Sequence, residues 1–167
     1  MALAPPDIQH LEAATGYAQL GMWLDTDSEL DNIDPFNCAA FEVLALRIEI
    51  YRGLKKWELM REIAKRLTEF QPANIQWILS YAFASRRALS IEVAKEILLK
   101  SVARFPREAV IYFNLACYSC QLGDLKSAKD FLKRAFEIDP NWRFIALDDV
   151  DLEPLWKMLA ADLQKSQ

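Results

Sequence analysis

Pro72, Pro106 and Pro140 recur at an interval of 34 residues, and each stands just past a stretch with helical patterning. Those stretches end Leu67-Thr68-Glu69-Phe70-Gln71, Val102-Ala103-Arg104-Phe105 and Ala135-Phe136-Glu137-Ile138-Asp139. Proline has no N–H to donate and its ring clashes with the preceding turn, so it ends a helix sharply. A fixed period of roughly 20 to 50 residues is the mark of stacked repeats. Each repeat is too small to bury its own apolar face and must lay it on its neighbour.

The same frame run back to the N-terminus divides the chain into units at about 7–40, 41–74, 75–108 and 109–142, with 143–167 left as a closing segment of one domain. The frame aligns four columns of small or apolar residues. The first holds Ala14, Ile48, Ala82 and Ala116, and the second Thr26, Met60, Ala94 and Ala128. The third holds Leu30, Ala64, Leu98 and Leu132, and the fourth Ile33, Leu67, Ser101 and Ala135. Tyr17 and Tyr51 share a further position, as do Trp23 and Trp57. Small residues at facing positions let two helices approach closely, and the larger ones fill the space beside them.

This unit resembles the tetratricopeptide repeat, two antiparallel helices in 34 residues. The fourth unit matches best, through Tyr112, Leu115, Ala116, Gly123, Asp124, Ala128, Leu132, Ala135 and Pro140. The third has Leu89, and the second Lys55, where the repeat usually has glycine; the first has Cys38 in place of the terminal proline. The resemblance implies an all-α fold, a right-handed α-α superhelix of about four helix pairs with a C-terminal capping helix. Breaks between helices are expected near Gly21, Asp34–Asn37, Lys55, Pro72, Leu89, Pro106, Gly123 and Pro140. Asp151 is the expected N-cap of the last helix, which starts at Leu152. Its apolar stripe runs Leu152, Leu155, Trp156, Leu159 and Leu163, with Lys157, Asp162 and Lys165 turned away.

The formal net charge of −4 gives no support for a dedicated nucleic-acid binder, because phosphate recognition needs a basic surface. The N-terminus lacks the basic start and apolar core of a signal peptide, and no apolar run is long enough to span a bilayer. Cys38, Cys117 and Cys120 are too few and too unevenly spaced for a secreted disulfide framework. These features place the chain in the cytoplasm, away from membranes.

No residue set nominates a reaction. Cys117 and Cys120 form a C-x-x-C pair inside a helix, not at the helix N-terminus that lowers a thiol pKa. Zinc would need four ligands, and only Cys38 and His10 remain. Asp25, Asp27, Glu29 and Asp31 look like the start of a calcium loop, but Leu30 occupies the position that demands glycine, so they read as a solvated acidic helix face. His10 has no obvious partner. Trp23, Trp57, Trp77 and Phe131 read as core. The expectation is therefore a non-catalytic chain with no cofactor and no metal.

In this kind of repeat the first helix of each pair lines a concave groove. The resemblance places Ala45, Glu49 and Arg52 there in the second unit, and Gln76, Leu79, Ser80, Phe83, Arg86 and Arg87 in the third. In the fourth it places Val110, Phe113, Asn114, Cys117, Cys120 and Gln121. From these, Arg52, Phe83, Arg86, Arg87, Phe113, Asn114 and Gln121 are the candidate contacts for an acidic, partly apolar protein or peptide. Clamping of a terminal carboxylate, as in chaperone-tail binders, is disfavoured, since only Asn114 fits and Glu49 would repel the charge. The alternative role is a structural subunit, such as a homodimer, that associates through the ends of the solenoid using Trp142, Trp156 or the apolar start of the first unit. An enzyme is a distant third.

Overall fold

The structure, a computed structural model, describes residues 3–165, without the side chains of 162–165. The described residues form helices, turns and loops, with no strand among them. The chain packs as two compact units, one ending at Ala88 and one beginning at Leu89.

The first unit holds α1 (Pro5–Gln19), α2 (Trp23–Asp31), α3 (Phe41–Gly53), α4 (Trp57–Phe70) and α5 (Ile75–Ala88). Pro5 and Pro6 open α1, where a missing N–H costs nothing. Helices adjacent in sequence pack on each other, α1 on α2, α3 on α4 and α4 on α5. The second unit holds α6 (Ile91–Ser101), α7 (Ala109–Gln121), α8 (Leu125–Ile138), α9 (Trp142–Asp148), a 3-10 segment (Val150–Leu155) and α10 (Trp156–Lys165). There α7 packs on α6, α8 and the 3-10 segment.

All sixteen residues of the four sequence columns are buried, so the columns are the core of the helix pairs. Aromatic side chains at the margin of the core are half-buried, as expected of large rings that fill the space beside small residues.

The turns within the pairs repeat at the same interval. Gly21 and Gly123 adopt φ of 71° and 79°, and Lys55 stands at the equivalent position with φ of 56°. In each, the residue after this one donates its N–H back across the turn: Met22 to Tyr17 O, Lys56 to Tyr51 O and Asp124 to Ser119 O, at 3.0, 2.8 and 2.9 Å. The left-handed residue donates to Ala18 O, Arg52 O and Cys120 O respectively. These paired bonds form the Schellman motif, which satisfies helix carbonyls that would otherwise lack donors. The corresponding Leu89 has no positive φ; there the Ser90 hydroxyl caps α6 by accepting from Val93 N at 3.3 Å.

Two expectations are corrected. The segment after Pro140 contains a helix of its own, α9, before the closing one. Asp149, rather than Asp151, supplies the cap, accepting the Asp151 N–H at 2.9 Å, and residues 150–155 wind as a 3-10 helix. Pro154 lies within that segment, and the α-helical geometry begins only at Trp156. Leu152, Leu155 and Leu159 are buried as their stripe required. Leu163, Asp162 and Lys165 have side chains outside the described set.

Asp7 ties the α2–α3 loop to α1. Its carboxylate is 4% exposed and accepts from Asp34 N at 3.0 Å and Asn37 Nδ2 at 2.7 Å. The hydrogen bonds from Asp34 and Asn37 hold its pKa below the usual carboxylate range.

Candidate functional site

Helices α3, α4 and α5 bring together Arg52, Trp57, Phe83 and Arg87 in the first unit. The guanidinium carbon of Arg87 lies 3.5 Å from the centre of the Phe83 ring and 5.2 Å from that of Trp57. Trp57 meets Phe83 edge-on, with centroids 5.8 Å apart. Arg52 approaches the same Phe83 ring, at 5.4 Å. A cation over an aromatic face is attracted by the ring quadrupole, so two guanidinium groups share one half-buried ring. Arg87 is also held by a hydrogen bond to Phe83 O at 3.3 Å. Arg86, the next candidate, is half-buried on the same helix. The sequence reading placed Trp57 in the core; it is half-buried and its ring also faces Arg87. The signal for this was its position opening α4 directly after the α3–α4 turn.

Arg52 contrasts with Arg47, which lies on the same helix. Arg47 is locked by Asp27 at 2.9 Å and Asp31 at 2.8 Å, with a side chain only 13% exposed. Arg52 reaches Ser80 Oγ at 3.5 Å and Glu49 Oε1 at 3.8 Å, both at the outer limit for such contacts. The acidic run of α2 is thus not merely a solvated face. Arg47 and Lys56 pair with Asp27, because packing of α3 against α2 brings these cations opposite the acids. His10 Nδ1–H donates a 2.9 Å hydrogen bond to the Glu29 carboxylate, so it joins α1 to α2.

In the second unit Phe113 is covered by the chain itself, and Asn114 and Gln121 are engaged by it. Phe113 is 4% exposed, its ring against Trp142 at 4.5 Å. The expectation that Phe113 presents an apolar anchor to a partner is corrected: α9 supplies the aromatic surface it packs on. Asn114 donates to Val110 O at 2.8 Å within α7. Gln121 remains exposed, but its amide donates to Asp151 O at 3.1 Å. Cys117 donates a long 3.7 Å bond to Asp149 Oδ2, and Cys120 is buried; burial, with Asp151 nearby, pushes the Cys120 thiol pKa up. A raised pKa disfavours the thiolate, the reactive form. Sequence reasoning missed this cover because the residues that form it lie at the very end of the last repeat or beyond it.

A concavity elsewhere in the first unit has a volume of about 480 Å³ and is lined by Phe36, Phe41, Leu44, Leu67 and Phe70, among others. Phe36 at its edge is 93% exposed. Among the described residues, no cluster of three or more His, Cys, Asp or Glu side chains is placed to hold a metal ion, and no helix is long and apolar enough to cross a membrane.

Neither a protein-family model nor a curated protein matches the sequence. Solved structures match over nearly their whole length. MamA MSR-1 is 18% identical, with a TM-score of 0.64, covering 96% of this chain and 98% of that one. Two structures of MamA AMB-1 are 15% and 14% identical, with TM-scores of 0.67 and 0.65. They cover 96% and 97% of this chain, and 93% and 99% of theirs. At such identities the likeness concerns the backbone alone. With the 34-residue register, the buried columns and the recurrent Schellman turns, it establishes that this chain has the tetratricopeptide-repeat fold of MamA.

Proposed function

We propose that the chain is a non-catalytic scaffold of the cytoplasm that binds a protein or peptide through the α3–α5 face of its first unit. The contacts are Arg52, Phe83, Arg86 and Arg87, joined by Trp57. The partner is an acidic segment with an apolar anchor. One observation carries the reading: two arginines converge on the ring of Phe83 in a chain of net charge −4. Guanidinium pairs bidentately with carboxylates, and a ring beside it gives an apolar group something to pack on. Asn114 and Gln121 belong to the second unit, where contacts within that unit engage them, and are not part of this face.

The test begins with a partner recovered by cross-linking in the source cells, then titrated calorimetrically at low and high salt. Phe83→Ala should weaken binding about thirtyfold at both, the loss of about 2 kcal/mol typical of an aromatic anchor. Arg86→Ala with Arg87→Ala should weaken it mainly at low salt, where charge steering is unscreened. Unchanged affinity in both variants, with melting confirming the fold, refutes the assignment.

Self-association is the second reading. The exposed Phe36 and Phe70 at the apolar concavity favour it, since such a patch gains by burial against another copy. Trp142 and Trp156, the contacts expected from sequence, are half-buried, Trp142 against Phe113 and Trp156 bonded to Asp149 O at 3.2 Å. A mass that rises with concentration in light scattering, and that Phe36→Asp abolishes, supports this reading; a constant monomer mass refutes it.

A further inference from the structure

We infer that Glu49 is a built-in competitor for Arg52, holding the place that the carboxylate of a partner takes. The inference rests on the binding face proposed above and names the chemistry that operates it: exchange of one carboxylate for another on a single guanidinium.

The contrast between two arginines of α3 is the starting point. A guanidinium carries five N–H donors in a planar fork and no acceptor. Arg47 spends its donors on Asp27 and Asp31 at normal bond lengths and is largely buried. Arg52 has a hydroxyl at 3.5 Å and a carboxylate oxygen at 3.8 Å, and its side chain is 44% exposed. It keeps donors to offer, and it stands beside the Phe83 ring, where an incoming apolar group would bring a neighbouring carboxylate.

Glu49 lies three residues before Arg52 on the same helix face, with 53% of its side chain exposed. Its charge partly cancels that of Arg52 in the free protein. An exposed pair at this distance is weak, worth at most about 1 kcal/mol. That weakness suits the role, because a bidentate carboxylate from a partner can displace Glu49 at small cost. A neutral or basic segment gains nothing from Arg52 and cannot displace it. Glu49 thereby sets a threshold: a carboxylate must outcompete it to reach Arg52, whereas a merely apolar segment does not meet it. The repulsion that argues against a terminal-carboxylate clamp is, on this account, what keeps a poorly placed carboxylate off Arg52.

The test uses two synthetic probes with blocked ends, Glu-Glu-Phe-Glu-Glu and its all-glutamine counterpart Gln-Gln-Phe-Gln-Gln. Both are titrated calorimetrically into the full chain, into Glu49→Gln, into Arg52→Gln and into the double variant. Glu49→Gln should bind the acidic probe roughly two- to fivefold more tightly, the range set by an exposed charge pair. It should leave the glutamine probe unchanged. In the Arg52→Gln background the gain should vanish, since the competitor has nothing left to occupy. Both positions are at the surface, so thermal melts should be nearly unaltered. If the acidic probe binds the wild-type chain and Glu49→Gln does not tighten it, or tightens it equally without Arg52, the competitor role is overturned while the binding face stands. If neither probe binds any variant at millimolar concentration, the binding face falls, and this inference with it.

Discussion

Replacing Lys55 by glycine should stabilise the protein, although it removes a side chain from a helix-pair turn. Lys55 holds φ of 56° at the position where Gly21 and Gly123 hold 71° and 79°. A residue with a Cβ pays roughly 1–2 kcal/mol in the left-handed region, and glycine pays nothing. Against that relief stands the extra freedom glycine brings to the unfolded chain, about 0.4–1 kcal/mol. The Lys55 side chain is exposed, and it makes no hydrogen bond or ion pair among the described residues, so no contact is forfeited. The net expectation is a gain of about 0.5–1 kcal/mol. At Gly21 and Gly123 the same arithmetic runs backwards, and alanine should cost a similar amount even though an added Cβ meets nothing within 4 Å at either site. Urea denaturation followed by circular dichroism reads the changes. Hydrogen exchange at the Lys56 amide, which closes the turn onto Tyr51 O, reads them locally. A destabilising Lys55→Gly, or a stabilising Gly123→Ala, would refute the claim that backbone conformation dominates this column.

Gly53 lies in helix α3, where alanine is ordinarily better by about 0.5–1 kcal/mol, but an added Cβ would fall 2.6 Å from Trp23 Nε1. Gly53→Ala should therefore lower stability by about 1–3 kcal/mol, and a raised melting temperature would show that Trp23 moves aside freely. The Asp7 carboxyl is held below its ordinary pKa, so its contribution is present above the unfolded value near 4 and is lost as pH falls through the lower folded value. Asp7→Asn should flatten the decline in melting temperature below about pH 4; an unaltered acid profile would mean that other carboxylates govern it. The hydroxyls of Ser85 and Ser119 are buried without a hydrogen-bond partner, at the repeat position where Tyr17 and Tyr51 stand in the first two units. Alanine at either should be neutral or stabilising by up to about 1 kcal/mol in thermal melts, and a clear loss of stability would expose a partner for the hydroxyl.

The repeat interval by itself determined the eight repeat helices, their turns and the residues of their core. The reason is physical: a proline, a left-handed turn residue and a buried small side chain each act within a few residues, and the period repeats those local constraints. Even the departures were legible, since Lys55 and Leu89 occupy the glycine position openly. Tertiary structure alone decided which first-helix faces stay open. Phe113 has the repeat position of the half-buried Ala45 and Leu79, but α9 and the 3-10 segment fold onto α7, burying Phe113 beneath Trp142 and engaging Gln121. Nothing periodic encodes that contact, because the residues that make it lie at the end of the last repeat or beyond it, some 30 positions away in sequence. The same holds for the surroundings of Arg47 and Arg52, two arginines of one helix. Packing of α2 set acids against the first and left the second 44% exposed beside an aromatic ring, so that one is locked and the other is not.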